Sequence, residues 1–296
     1  MLESWIFWTL LAATMQAVRT AGQKRLNLTV SAEGATLVRY LFGLPFMAGY
    51  FAIVGEFSTF PAATVEFWLK VLVASILQIL ATVLLVRLFA LRNFAVGSTY
   101  IRLEIVLTAL LGLALFGDAL SLLAGLGMAV CTLGLLRINA DTTVSLRQFF
   151  GQDARLGLLS ALAFSLTSLL VRDASLSLGL SSALESGATT LMAMIVLQTV
   201  LTLSLVGFKA SKDFLQLGKQ WRLATFVGVT GVLGSIGWFT AFTLEPAAVV
   251  KTLGQIEIGL ALGISYLWFK ERPTIREWQG IALIVLGVAG VLLSYF

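Results

Sequence analysis

The sequence predicts an all-α integral membrane protein whose ten transmembrane helices form two inverted five-helix repeats. Three observations carry that expectation: a composition too apolar for a soluble surface, ten apolar runs of bilayer length, and self-similarity at one fixed offset. Apolar residues make up 58% of the 296-residue chain and charged residues only 12%, about half the charged share of a soluble domain. Runs of roughly 20 apolar residues read as helices that cross a bilayer, because only a helix satisfies its own backbone in lipid.

Ten runs fall near 4–22, 33–54, 67–90, 95–116, 119–138, 155–172, 184–207, 222–243, 248–269 and 277–295. They are called spans 1 to 10 below. The first starts within four residues of the N-terminus and has no small-residue cleavage pattern after it. It therefore reads as a retained span, not a signal peptide. The longer connections are 54–66, the central 139–154 and the basic 208–221. The central one, INADTTVSLRQFFGQD, contains Phe149 and Phe150 and reads as the join between halves.

Shifting the chain on itself by 153 residues brings Arg19 onto Arg172, Gly34-Ala35-Thr36 onto Gly187-Ala188-Thr189, and Glu104-Ile105 onto Glu257-Ile258. The same offset brings Phe116 onto Phe269, Gly127 onto Gly280, and Leu133-Gly134 onto Leu286-Gly287. Matching apolar residues is easy by chance, but matching Arg, Glu and Gly is not. The repeats are 1–140 and 155–296, joined by 141–154. A second copy that starts after five crossings enters from the opposite face, so the halves are inverted. That architecture is typical of alternating-access transporters, with the site at the repeat interface near the midplane.

The net charge of +5 resides mostly in short loops, so it reports topology and not nucleic-acid binding. One side holds Lys24, Arg25, Arg92, Arg137, Arg147, Arg155, Lys209, Lys212, Lys219, Arg222, Lys270, Arg272 and Arg276, thirteen in all, against Lys70 and Arg172 on the other. The positive-inside rule makes the first side cytoplasmic and puts both termini outside. A bacterial inner (plasma) membrane is the expected location. There is one cysteine, Cys131, and no histidine. No internal disulfide, thiol pair or His-containing metal site can form, and Cys131 reads as a packed core residue.

The chain resembles the EamA-like members of the drug/metabolite transporter superfamily. The resemblance rests on WFKERPTIREWQGIALIVLGVAGVLL, where an acid after an apolar helix leads through a turn into a Gly-rich last helix. Its first copy is LFGDALSLLAGLGMAVCTLGLL. The resemblance implies a transporter with a central cavity lined by spans 1, 3, 4 and their copies 6, 8, 9, with spans 5 and 10 peripheral. Ten-helix members of that family are described with both termini cytoplasmic, and the charge count departs from this.

Glu104 and Glu257 are the first candidates for the site. Glu104 lies about eight residues into span 4, roughly 12 Å of helix, and Glu257 about nine into span 9. A charge at such depth costs at least ~2.5–3.5 kcal/mol, so it faces a cavity or a partner. The functional reading is cation recognition or proton coupling. The structural reading is a set of buried ion pairs, with Arg39, Arg87, Arg102 or Lys251 as partners. Helix geometry puts Tyr100 and Thr108 on the face of Glu104. Arg102 and Gln255 occupy equivalent positions on the far face. Lys251 is a candidate substrate or counter-ion residue, and Gln16 and Gln78 are buried amides that need partners. Trp238 follows Gly228, Gly231, Gly234 and Gly237 and could wall the cavity. The glycine row itself reads as a packing face. Gly127, Gly134, Gly280, Gly287 and Gly290 read as packing too. Arg19 and Arg172 read as interfacial anchors, and Asp118 and Glu271 as turn or gate residues.

The expected function is secondary active transport of a small organic metabolite or drug, with protons coupled through Glu104 and Glu257. Two acids favour a cation, a zwitterion or an amino-acid-like substrate, while nearby Arg and Lys leave room for a carboxylate. The alternative is a non-transporting membrane scaffold or receptor with structural ion pairs. An enzyme is disfavoured, since no nucleophile pair, metal cluster or phosphate-loop motif is present. The other expected partners are membrane lipid and no nucleic acid or cofactor, in a monomer or homodimer.

Overall fold

The computed structural model describes residues 4–55, 64–89, 103–138, 152–258 and 274–294. Among these residues there is no strand. The helices are α1 (Trp5–Leu26), α2 (Ala32–Leu41), α3 (Leu44–Val54), α4 (Val65–Phe89), α5 (Glu104–Leu111) and α6 (Leu122–Ile138). They continue with α7 (Gln152–Ser177), α8 (Ala183–Lys209), α9 (Lys212–Lys219), α10 (Trp221–Leu244), α11 (Ala247–Gly254) and α12 (Ile275–Leu293). A π turn, Gly112–Phe116, extends α5. It ends where Gly117 takes a φ of 68° and the Asp118 amide closes on the Gly112 carbonyl at 3.1 Å. Glycine carries that left-handed backbone without steric cost.

Among the described residues six helices are long and apolar enough to cross a membrane. They are Ala32–Val54 (α2 with α3), α4, α7, α8, α10 and α12, while Glu104–Phe116 and Leu122–Ile138 are shorter apolar helices. The 22-residue α1 is long enough but not among them. Thr9, Gln16, Arg19 and Gln23 lower its hydropathy, and Thr9, Arg19 and Gln23 are buried in the bundle. Helix α4 shows the opposite case. Leu69, Leu72, Ile76 and Leu80 are exposed while Phe67, Val71 and Ala74 are buried. Both faces are apolar, as lipid on one side and protein on the other require.

The structure adds detail where the sequence showed only hydropathy. Span 2 is two helices, parted at Phe42-Gly43 ahead of Pro45 at the start of α3. Proline takes the first turn of a helix because its missing N–H has no partner there anyway. The basic connection 208–221 contains a helix, α9, which is tied to the start of α2. The Asp213 Oδ2 accepts from the Ser31 amide at 3.1 Å and from the Ser31 hydroxyl. Ser31 in turn caps α2 by accepting from the Gly34 amide at 3.0 Å.

The most extensive pairings are α6 with α12, α1 with α10 and α4 with α7. All three are antiparallel. A Cβ at Gly22 would lie 2.7 Å from Val227, and one at Gly237 would lie 2.6 Å from the Trp8 carbonyl oxygen. Likewise Gly127 meets the Gly287 carbonyl at 2.6 Å and Gly134 meets the Gly280 carbonyl at 2.7 Å. In the third pair, the Ser160 hydroxyl donates to the Ala81 carbonyl at 2.9 Å, and Lys70 meets Asp173 at 2.8 Å. The 153-residue shift carries α1 onto α7 and α4 onto α10, so it turns the second pairing into the third. It carries α6 onto α12, so the first pairing maps onto itself. Gly127, Gly134, Gly237, Gly280 and Gly287 sit at these close contacts, whereas Gly228 meets Phe42-Gly43, and Cys131 is buried beside Gly287.

Candidate functional site

Helices α1, α2, α4, α7, α10 and α11 line a cavity of about 30 Å³, room for roughly one or two water molecules. Gln16 and Arg19 reach it from α1, Arg39 from α2, Gln78 from α4, and Thr167 and Ser168 from α7. Ser235, Trp238 and Phe242 come from α10 and Lys251 from α11. Spans 5 and 10 (α6 and α12) contribute nothing to its wall among the described residues.

Lys251 is the most constrained of these groups. Its ammonium meets Glu104 Oε1 at 2.6 Å, with side-chain exposures of 11% and 14%. The same ammonium lies 4.9 Å from the Trp238 ring centroid, 5.6 Å from Phe242 and 5.8 Å from Phe164. All three distances fall within cation–π range, and Trp238 stacks on Phe242 at 5.6 Å. One carboxylate and three aromatic faces thus hold a charge that lipid would reject. The ion pair joins span 4 to span 9, so each half of the chain supplies one partner.

Glu257 is held differently. Gln16 Nε2 donates to its Oε2 at 2.9 Å, while Trp238 Nε1 donates to Gln16 Oε1 at 3.0 Å. An indole only donates and a carboxylate accepts, so the Gln16 amide has a fixed orientation between them. Gln78 forms a second amide pair, accepting from Gln198 Nε2 at 2.6 Å.

The structure therefore brings Gln16, Gln78, Trp238 and Lys251 to one cavity. It sets Glu104 and Glu257 one contact behind that wall, on Lys251 and Gln16. Thr108 is buried, but its hydroxyl donates to the Glu104 carbonyl at 2.7 Å and not into the cavity. Gln255 lies just past the end of α11, donates to the Lys251 carbonyl at 3.2 Å, and has a buried Oε1 without a hydrogen-bond partner. Tyr100 and Arg102 lie outside the described residues, as do Glu271, Phe149 and Phe150. Glu104 is the first residue of α5, and Glu257 follows a break in the helix at Gln255. Neither acid is seen in an uninterrupted helix.

Arg19 is not an interfacial anchor. It is 4% exposed and lines the cavity, as does Arg39 at 5%. Its repeat-mate Arg172 donates to the Phe242 carbonyl at 2.6 Å and lies 3.7 Å from Asp118. Burial lifts the Asp118 carboxyl above its ordinary value, against the opposing pull of Arg172. Arg87 pairs with Glu33, and neither residue lines the cavity. Arg39, named above only as an ion-pair partner for the buried acids, is legible in the sequence as a binding candidate too. It stands six residues past Glu33 within an apolar run, so the depth argument applied to Glu104 applied equally to it.

A buried cavity lined by charged, amide, hydroxyl and aromatic side chains from both halves of an apolar helical bundle fits an integral membrane protein. The EamA-like transporter family matches residues 3–140 and again residues 154–293, and the chain belongs to it. It is accordingly a membrane transporter of small molecules. No curated protein matches it by sequence. One solved structure, described only as the crystal structure of a protein, covers 98% of this chain and 96% of its own at 13% identity and a TM-score of 0.73. That likeness shows a shared fold alone.

Proposed function

We propose that the chain is a secondary active transporter that works by alternating access between two inverted five-helix repeats, 1–140 and 155–296. Its substrate is a small organic metabolite or drug: a cation, a zwitterion or an amino-acid-like molecule. Protons couple through Glu104 and Glu257. The observation that carries this reading is the Glu104–Lys251 pair across the two halves, at 2.6 Å behind the cavity wall. An ion pair between elements that must separate is a contact that a proton can release. The small cavity fits an occluded state, and a metabolite enters only when Trp238, Phe242 and Lys251 move apart.

Proteoliposome uptake under an imposed pH gradient tests this. Glu104→Gln and Glu257→Gln keep shape and remove titration. Each should lower uptake by about tenfold or more, the equivalent of one lost charge-assisted hydrogen bond. Glu104→Gln should flatten the pH profile, because it removes the carboxylate that meets the Lys251 ammonium at 2.6 Å. Wild-type uptake and an unchanged pH profile in both variants would leave the acids structural and favour a scaffold or receptor.

We assign the protein to the bacterial inner (plasma) membrane with the loop of Lys209, Lys212 and Lys219 on the cytoplasmic side, from the thirteen-to-two charge bias. In a Cys131→Ser background, Lys212→Cys should react with an impermeant maleimide only after the cells are permeabilised. Rapid labelling of intact cells reverses the orientation.

A further inference from the structure

We infer that Arg19 and Arg39 form an oxyanion subsite, and that the transported molecule carries a carboxylate or phosphate that sits between them. This rests on the transporter reading and narrows its substrate. Both guanidinium stems lie on Gly231: a Cβ there would be 3.0 Å from Arg39 Cγ and 3.6 Å from Arg19 Cδ. Both residues are at least nine-tenths buried and line the cavity. Arg39 Nη2 donates to the Ser235 hydroxyl at 3.1 Å. Arg19 Nε is buried with no hydrogen-bond partner.

The charge balance points the same way. Among the described residues the cavity wall has three cations, Arg19, Arg39 and Lys251, and no carboxylate. Glu104 matches Lys251. Glu257 attracts Arg19 from behind Gln16, which leaves two neighbouring arginines facing one remaining acid. Like charges buried side by side repel, and a buried N–H without a partner costs the desolvation of that donor. One oxyanion relieves both, because a guanidinium presents its donors in a planar fork that fits two oxygens at once. A purely cationic solute would add to the imbalance. A zwitterion would satisfy it, with its ammonium on the side of Trp238 and Phe242 and its oxyanion on the arginines.

The test is the thermal stability of the purified protein in dodecyl maltoside without lipid, so that no headgroup can supply the anion. Sodium acetate, sodium glycerol 3-phosphate and tetramethylammonium chloride are compared with sodium chloride at matched ionic strength. At least one oxyanion should raise Tm by about 2–4 °C when well above its Kd, and tetramethylammonium should not. Arg19→Gln and Arg39→Gln should each lose at least half of that rise. If a Gln variant does not fold, the Lys variant at that position replaces it: the charge stays, the planar fork goes, and the rise should still be at least halved. The subsite is overturned if no oxyanion stabilises the wild type, or if the rise survives undiminished in the variants. Stabilisation by tetramethylammonium alone overturns it too, and leaves the transporter reading standing. Absence of uptake for any solute tests that broader reading separately.

Discussion

Lys251→Met is expected to destabilise the protein by about 3–5 kcal/mol, the usual cost of removing one partner from a buried ion pair. The methionine fills much of the same volume, so packing is not the main loss. What remains is the Glu104 carboxylate, 14% exposed, with its ammonium gone. Glu104→Gln should cost less. Lys251 then keeps three ring faces at 4.9, 5.6 and 5.8 Å, which hold a cation without any carboxylate. The double variant should recover to within about 1–2 kcal/mol of wild type, because a neutral pair leaves no uncompensated charge. Unfolding of the purified protein in detergent measures all three, and the cycle isolates the coupling. A Lys251→Met loss under about 1 kcal/mol means that the pair is solvated and not part of a dry wall. Transport should be lost in the single and the double variant alike, since stability is restored by neutralising the pair but the switch is not.

Much of this arrangement could be read from the sequence, for one physical reason. Lipid tolerates almost no polar side chain, so each of Gln16, Gln78, Lys251, Glu104 and Glu257 stands out within an apolar run, and Trp238 is marked only by the glycine row before it. The 153-residue offset also relates two of the observed pairings, since α1 with α10 is the image of α7 with α4, but it names no partner helix by itself. Partnership was harder. Lys251 finds Glu104 only because span 9 crosses beside span 4, and periodicity within one helix holds no information about that crossing. Thr108 was assigned to the face of Glu104 by spacing, yet its hydroxyl closes on the carbonyl one turn back, as threonine in helices commonly does. Arg19 was assigned to the interface because its run ends three residues later. Burial against α10 overrides that position, since the glycine row lets α1 approach closely and carries the Arg19 stem inward over Gly231. The breaks at Phe42-Gly43 and Gln255 were invisible to hydropathy, because a broken helix and a continuous one have the same composition.

The second large effect is expected at Trp238, which serves two neighbours by different chemistry. Its ring is the nearest aromatic face to Lys251, at 4.9 Å, and stacks on Phe242. Its N–H fixes Gln16, which in turn holds Glu257. It also fills the space beside Gly254, where a Cβ would fall 2.4 Å from the indole edge. Trp238→Ala removes all three and leaves a void, so it should cost about 3–5 kcal/mol of stability and at least about tenfold in uptake. Trp238→Phe keeps a ring over Lys251 and loses the donor, leaving the Gln16 carbonyl oxygen unpaired. That change should cost about 1–3 kcal/mol, and uptake should fall by less than in the alanine variant. The order of the two decides which chemistry matters. If Phe is as damaging as Ala, the Trp238–Gln16–Glu257 chain dominates and the ring is incidental. If both variants stay within about 1 kcal/mol of wild type and transport normally, neither the ring nor the N–H of Trp238 contributes to the transport cycle.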